Sequence, residues 1–212
     1  MRGGHVGTGM NGIEAVVFDL GNVLVHVNEA LGAERFATRT GKTRDEVELY
    51  FRSAPYVTEF ALGRCTKRAF YRTVARDLGF NGPYEEFARI WTEVFTPIPP
   101  MIELAESLKT RVPRVLMSNT NAIHMEYILK HFPFLNEFDD QILSYQVGLL
   151  KPDEAIYRLT LDRCGLAAAV TVFIDDLAAN VEGARRVGMQ AIHHQDFEQT
   201  RQELTKLGIT PA

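Results

Sequence analysis

The sequence predicts an α/β fold in which a parallel sheet of about five strands carries an inserted bundle of helices. Short apolar segments bounded by turn residues or charges recur along the chain, as strands buried on both faces do. Amphipathic helical patterns separate the later segments, whereas the interval between the first two contains helical patterns only. Alternation of strands and helices favours parallel strands joined by right-handed crossovers.

The five predicted strands are apolar and often β-branched, which suits the interior of a sheet. They lack the regular polar alternation that a half-exposed strand has. The predicted strands are Ala15–Leu20, Arg114–Ser118, Gln141–Ser144, Thr171–Asp175 and Gln190–His193.

Three helices are predicted between and beside the later strands. Residues 99–109 begin with two prolines and place apolar residues on one face. A second helix opens with Pro152 at its first helical position and stops at Gly165, and a third covers residues 177–188. Proline at the start and glycine just past the end are the usual punctuation of a helix.

Between about Asn28 and Pro97 no strand is predicted, and four helical patterns take its place. Residues 43–46, with the sequence TRDE, fit a capping box, and Thr66 can cap a helix that ends at Gly79. The other two amphipathic patterns lie at residues 28–41 and 84–95. We therefore predict an α/β core domain at residues 13–27 and 98–212, a helical cap domain at 28–97, and a disordered leader at 1–12.

Composition and charge exclude several classes of function. The chain has 212 residues, 46% of them hydrophobic and 24% charged, which is ordinary for a soluble globular protein, and its formal net charge is −4. The longest basic run is Arg185-Arg186, so neither a nucleic-acid nor a membrane partner is expected. Cys65 and Cys164 have no metal-binding or redox spacing, which favours reduced thiols and a cytoplasmic location. We expect a monomer or a weak homodimer.

Polar residues collect where three of the predicted strands end. Asp19 ends the first strand, Asp175 and Asp176 end another, and Ser118 and Asn119 end a third. Ligands of open α/β sheets bind at the carboxyl ends of strands, at the point where the strand order reverses. Taken singly, each residue also fits a structural role as a turn or helix cap. Their joint order on successive strands favours a functional crevice.

Three carboxylates in one crevice would repel one another unless a cation compensates for them. A site with few oxygen ligands from the protein and several waters suits Mg²⁺. Lys151, after the strand near Ser144, can supply a second positive charge. Mg²⁺ and a lysine around a carboxylate attract a phosphate, and an aspartate can attack phosphorus covalently. The residues therefore indicate metal-assisted phosphoryl transfer.

Four segments at the predicted crevice form a recognisable series: FDLGNVL at 18–24, LMSNT at 116–120, Lys151-Pro152, and VFIDDLAANVEGA at 172–184. They resemble the motifs of the haloacid dehalogenase superfamily, whose members are mostly phosphatases. The resemblance spans Val16 to about Ile192 and implies a Rossmann-like core with a small helical cap. The residues of these motifs are most similar to the branch that contains bacterial alpha-D-glucose-1-phosphate phosphatase and the phosphatase domain of soluble epoxide hydrolase.

The resemblance implies a role for each site residue. Asp19 is the nucleophile and a metal ligand, and the Gly21 carbonyl is a second ligand. Asp176 is the third protein ligand, with Asp175 beside it. The remaining assignments concern the substrate: Ser118 and the Asn119 backbone hold the transferring oxygens, Lys151 neutralises nucleophile and phosphate, and Arg64 of the cap is a candidate substrate contact.

One position departs from the family pattern. Gly21 stands where the family usually has a second aspartate, the acid that protonates the leaving group. General acid–base assistance is typically worth about 10²–10⁴-fold in rate. The glucose-1-phosphate phosphatase branch, which this chain resembles, has the same DLGN residues. We therefore interpret the site as a variant of the family's active site. His26, where the chain leaves for the cap, is a candidate substitute acid, although a hinge role is the simpler interpretation.

The sequence thus predicts a Mg²⁺-dependent phosphatase that acts on a small phosphorylated metabolite, for example a sugar phosphate. Two alternatives stay open. One is a metal-independent 2-haloacid dehalogenase, against which Gly21 and the acidic pair Asp175-Asp176 argue. The other is a catalytically weak protein that only binds a phosphorylated ligand.

Overall fold

The central element of the fold is a sheet of five parallel strands in the order β5-β4-β1-β6-β7. The structure, a computed structural model, describes residues 12–209. The leader predicted at residues 1–12 therefore lies outside the described residues, except for Gly12. The strands are β1 Ala15–Phe18, β4 Arg114–Ser118, β5 Asp140–Leu143, β6 Thr171–Asp175 and β7 Gln190–His193.

All five predicted strands are confirmed, and their bounds shift by at most two residues. β1 lies in the middle of the sheet, and all four of its residues are buried. It pairs in parallel with β4, where Val17 faces Val115, and with β6, where Val17 faces Phe173. Burial on both faces explains why the segment is continuously apolar.

Helices cover both faces of this sheet. The three predicted helices are present, but Pro152 does not start one of them. The helix instead begins at Glu154, because the Asp153 side chain accepts a hydrogen bond from the Ala155 backbone N–H at 3.0 Å, a cap that proline has no side chain to provide. The longer helices of this part are α6 Pro99–Ser107, α7 Ala122–His131, α9 Glu154–Cys164, α10 Ala178–Arg186 and α11 Phe197–Lys206, with a single turn, α8 Ser144–Val147.

Five further helices follow the first strand and pack around a hydrophobic cluster of their own. Aromatic rings fill this cluster, among them Phe36, Phe60, Phe70 and Phe87. The capping box at Thr43 and the cap at Thr66 are both present as predicted. The helices are α1 Glu29–Thr40, α2 Arg44–Ser53, α3 Pro55–Ala61, α4 Lys67–Leu78 and α5 Tyr84–Thr92.

The prediction that no strand lies between Asn28 and Pro97 is wrong at its end. β2, Val25–Val27, pairs antiparallel with β3, Phe95–Pro97, and together they form a two-stranded ribbon. Three-residue strands are too short to show a recognisable alternation in the sequence. The ribbon lies where the chain leaves the sheet for the five helices and where it returns.

Polar contacts attach the inserted helices to the rest of the chain. The Ser144 hydroxyl of α8 lies 2.7 Å from the Ala61 carbonyl at the end of α3. The His124 ring on α7 donates from Nε2 to the Trp91 carbonyl at 3.1 Å. Within residues 12–209, no helix combines the length and the apolar character needed to cross a membrane.

Candidate active site

The polar crevice predicted at the strand ends exists. Asp19 follows β1 directly, and its backbone N–H donates to the Ile174 carbonyl of β6 at 2.9 Å, so the strand pairing positions it. β1 lies between β4 and β6, which is where the strand order reverses. A cavity of about 700 Å³ opens there, and six of the predicted residues line it: Asp19, Gly21, Ser118, Asn119, Lys151 and Asp176.

The loop after Asp19 is a tight turn with a specific role for Asn22. The Leu20 carbonyl accepts hydrogen bonds from two backbone N–H groups further along the loop, and Asn22 has the left-handed φ of 54°. The Asn22 side chain donates to Asp176 Oδ2 at 3.2 Å and accepts from the Val27 backbone N–H at 3.2 Å. Sequence reasoning missed the contact between Asn22 and Asp176.

Lys151 is a buried cation between two carboxylates. Its ammonium lies 2.6 Å from Asp19 Oδ1 and 2.7 Å from Asp175 Oδ2, and it donates to the Met117 carbonyl at 3.1 Å. The Asn119 side chain holds the Lys151 backbone, accepting from its N–H and donating to its carbonyl, both at 2.8 Å. Asn119 therefore positions Lys151 through a pair of reciprocal hydrogen bonds.

Asp175 and Asp176 have different surroundings. Asp175 is fully buried, and besides Lys151 it accepts hydrogen bonds from the Asn180 amide at 3.0 and 3.1 Å and from the Leu177 backbone at 2.8 Å. Asp176 is only half-buried, and its carboxylate contacts the Asn22 amide. Asn180 was missed as a site residue, although it lies in the fourth motif at the start of α10.

The burial and the pairing of Asp19 and Lys151 shift the pKa values of both side chains. Burial raises the pKa of Asp19 to about 6, while Lys151 offsets part of that rise and Asp175 adds to it. Burial would lower the pKa of Lys151, but the two carboxylates outweigh it and the pKa is raised. Lys151 is therefore charged, and additional positive charge in the crevice would favour the ionised Asp19.

The donor atoms fit a hard divalent cation. Carboxylate oxygens of Asp19, Asp175 and Asp176 lie within 4.8 Å of one another. Three carboxylates face a single ammonium there, so the crevice has an excess of negative charge that a cation would balance. Oxygen donors of this kind suit Mg²⁺. Asp176 has the most free coordination capacity of the three, because Asp175 is occupied by hydrogen bonds.

Two more polar side chains face the cavity. Ser118 is buried, and its hydroxyl has no hydrogen-bond partner among residues 12–209, so it can donate to a bound oxyanion. His26, on the ribbon, is exposed and lines the entrance. Arg64 does not reach the cavity: its exposed guanidinium pairs with Glu59 at 3.0 Å.

A parallel α/β sheet with three carboxylates and a lysine at its switch point defines a ligand-binding site of the doubly wound α/β type. The sequence pattern of the haloacid dehalogenase-like hydrolases matches residues 13–188. The chain belongs to this family.

Two relatives that align with nearly the whole chain are phosphatases by name. A D-ribitol-5-phosphate phosphatase of Bacteroides thetaiotaomicron is 24% identical over 202 residues, which are 91% of this chain and 97% of the relative. A sesquiterpene phosphatase of Aspergillus oryzae is 27% identical over 198 residues, 92% of this chain and 96% of the relative. The protein is accordingly a phosphatase of the haloacid dehalogenase type.

A solved structure shows the same fold. A haloacid dehalogenase family enzyme of Bacteroides thetaiotaomicron, in complex with magnesium and inorganic phosphate, superposes with a TM-score of 0.81 at 23% identity. The superposition covers 87% of this chain and 95% of that chain.

Proposed function

We propose that the protein is a Mg²⁺-dependent phosphatase that hydrolyses a small phosphomonoester through an aspartyl-phosphate on Asp19. The observation that carries this proposal is the buried Asp19 carboxylate, which lies 2.6 Å from the Lys151 ammonium in an open cavity that Ser118 also lines. A carboxylate oriented in this way can act as a nucleophile toward phosphorus.

In the first step, an Asp19 oxygen forms a bond to phosphorus as the ester P–O bond breaks. The alcohol oxygen leaves with the bonding electron pair and takes up a proton. Ser118 and Lys151 donate to the transferring phosphoryl group, where negative charge must be stabilised. Water then attacks the same phosphorus, which releases inorganic phosphate and restores the Asp19 carboxylate.

Mg²⁺ would be held by Asp19, Asp176 and the Gly21 carbonyl. Asp175 would support this site through its ion pair with Lys151. When bound, the ion supplies the positive charge that lets an anionic phosphate approach three carboxylates. Gly21 offers no acid to the leaving oxygen, so water or His26 has to supply that proton.

The substrate we propose is a small phosphorylated metabolite, and the relatives support two types. The name of one relative specifies a phosphorylated polyol and that of another a sesquiterpene. We further propose the core and cap division at residues 28 and 97, a monomer or weak homodimer, and a cytoplasmic enzyme without nucleic-acid or membrane partners. Membership of the glucose-1-phosphate phosphatase branch is likewise a proposal.

The test is phosphate release from a panel of phosphomonoesters, including para-nitrophenyl phosphate and sugar phosphates, with Mg²⁺ and with EDTA. We expect release that requires Mg²⁺ and is abolished in Asp19→Asn, because a carboxamide cannot form the aspartyl-phosphate. Asp162→Asn, the same change on the exposed face of α9, is the control. A folded Asp19→Asn protein with wild-type turnover would contradict the mechanism, and chloride release from a 2-chloroacid without Mg²⁺ would favour the dehalogenase alternative.

A further inference from the structure

The peptide unit that follows Asp176 is held by a side chain at each end. Its N–H, which belongs to Leu177, donates to Asp175 Oδ1 at 2.8 Å. Its oxygen, the Asp176 carbonyl, lies 2.9 Å from Nε2 of the His193 ring. Because a carbonyl oxygen can only accept hydrogen bonds, Nε2 carries the hydrogen and donates it. The plane of this peptide is therefore fixed from both sides.

The pairing of β6 with β7 brings His193 to this position. The two strands are parallel neighbours, and Asp175 pairs with His193 in their register. Successive side chains along a strand point to opposite faces. The next residue, His194, is bonded elsewhere, and its Nδ1 lies 2.7 Å from the Thr200 hydroxyl on α11. Of the two adjacent histidines, His193 is the one whose ring contacts the loop that carries Asp176.

The Asp176 carbonyl lies outside the hydrogen bonds of α10. The N-cap of this helix is Leu177, whose carbonyl accepts from the backbone N–H groups of Asn180 and Val181 at 2.9 and 3.1 Å. Among residues 12–209, the His193 ring is the only hydrogen-bond donor to the carbonyl one residue earlier. The position of the Asp176 carbonyl therefore depends on His193.

Holding this carbonyl also holds the Asp176 side chain. Rotation about the Cα–C bond of Asp176 changes the angle between its carbonyl and its carboxylate. The carboxylate itself is half-buried, and its contact with the Asn22 amide is 3.2 Å long. A fixed carbonyl restricts the directions that the carboxylate can take toward the cavity.

We propose that His193 is a positioning residue that orients Asp176 for Mg²⁺ by holding the carbonyl of the same residue. The inference rests on the proposed function, in which Asp176 is a metal ligand. The role requires the Nε2–H donor of the ring and does not require its charge. Replacing a residue that orients a metal ligand typically weakens metal affinity by about 10- to 100-fold.

Three variants separate the donor from the space that the ring fills. His193→Met and His193→Gln have side chains of nearly equal length, and only the glutamine can donate. His193→Phe keeps a ring without a donor, and it repeats the test should methionine pack poorly. His131→Met, at an exposed histidine that ends α7, is the control.

The first measurement is a calorimetric titration of each metal-free variant with Mg²⁺. We expect binding to be weaker by about 10- to 100-fold in His193→Met and His193→Phe. His193→Gln should recover most of the affinity, and His131→Met should keep all of it. The Mg²⁺ concentration for half-maximal phosphate release should rise by the same factor, while kcat at saturating Mg²⁺ changes less.

A second measurement needs neither metal nor turnover. Hydrogen exchange at the Leu177 amide, followed by NMR in the metal-free protein, reports on the peptide that His193 holds. We expect faster exchange in His193→Met and His193→Phe than in wild type and His193→Gln. Exchange at Val17, in the buried central strand, should stay the same because the change is local.

The outcomes distinguish this proposal from the proposed function. Wild-type Mg²⁺ affinity in folded His193→Met or His193→Phe would overturn the positioning role and leave the phosphatase mechanism intact. Equal loss of affinity in His193→Met and His193→Gln, with unchanged exchange at Leu177, would also overturn the role, because the ring would then act only by filling space. Absence of Mg²⁺ binding in the wild type would overturn the proposed metal site and the role of His193 together.

Discussion

Two adjacent aspartates at the end of β6 are placed for different tasks. Asp175 is saturated by Lys151, Asn180 and a backbone N–H, which makes it part of the framework that fixes the lysine. Asp176 is more exposed, and among residues 12–209 its carboxylate accepts a hydrogen bond only from the Asn22 amide, so its oxygens can reach a cation. The sequence shows the pair, but it cannot show which member faces the cavity.

Substitution of each aspartate by asparagine should separate these tasks. Asp175→Asn places an amide against the Lys151 ammonium, and breaking a buried ion pair costs about 3–5 kcal/mol. Asp176→Asn should leave the free energy of unfolding nearly unchanged while weakening Mg²⁺ binding by roughly tenfold or more. Urea unfolding without metal and a calorimetric Mg²⁺ titration measure the two effects. Loss of stability in Asp176→Asn, with Asp175→Asn unaffected, would reverse the assignment.

We expect Gly21 to determine how the leaving group receives its proton. Without an acid at this position, turnover should depend steeply on leaving-group pKa, so aryl phosphates should react faster than alkyl phosphates at saturation. Gly21→Asp should raise kcat for alkyl esters, by at most about 10²–10⁴-fold. A side chain here meets the Val27 methyl at 3.3 Å, which a small shift of that side chain can relieve.

Gly21→Ala is the matched control, because it adds the same Cβ without the acid. The decisive measurement is kcat across a series of esters for wild type and both variants. A flat dependence on leaving-group pKa in the wild type would show that another group, such as His26, already donates the proton or that hydrolysis of the aspartyl-phosphate is rate-limiting. Equal losses of kcat in both variants would show that crowding by the added Cβ outweighs any gain from the acid.

Whether a single strand or helix could be predicted depended on its length and on local sequence signals such as capping residues. The central strands β1, β4 and β6 are buried on both faces, and two helices of the insert have Thr43 and Thr66 as capping residues, so these elements were found from local patterns. The ribbon of β2 and β3 was missed because its strands are short and their central paired residues, His26 and Thr96, are far apart in the sequence. The start of α9 was misplaced because Pro152 precedes the capping residue.

The turn after α3 approaches α8 so closely that it requires glycine. A Cβ built on Gly63 would lie 2.0 Å from the Tyr145 carbonyl oxygen, and the φ of Gly63 is 71°. Gly41, after α1, has a φ of 70° and nothing within 4 Å of its Cβ position, so it isolates the backbone effect. The inserted helices therefore contact α8, the helical turn that follows β5, through the backbone atoms of Gly63 and Tyr145.

We expect Gly41→Ala to cost about 1–2 kcal/mol, the penalty for a left-handed residue with a Cβ. Gly63→Ala should cost distinctly more in the same urea unfolding experiment, because the Tyr145 backbone must also move. Equal costs for the two variants would mean that α3 and α8 separate freely.

At the scale of the whole molecule, the chain builds its site from segments that are far apart in sequence. β1 carries Asp19 at the centre of the sheet, and residues on β4, on β6 and after α8 close around it. The prediction assumed that these strands are neighbours and used the rule that ligands bind at the carboxyl ends of strands, at a topological switch point. The cavity among the inserted helices could not be predicted, because single residues of α1, α2, α3 and α5 line it and no local pattern marks them.

The most direct test of the account is to trap the aspartyl-phosphate. Wild-type protein is mixed with Mg²⁺ and an aryl phosphate that carries a radioactive phosphorus, stopped in acid during the first turnover, and digested. The account predicts label on the peptide that contains Asp19, no label in Asp19→Asn, and decay of the label as phosphate appears. Phosphate release without labelled protein at any time in the first turnover, or label on a different residue, would contradict it.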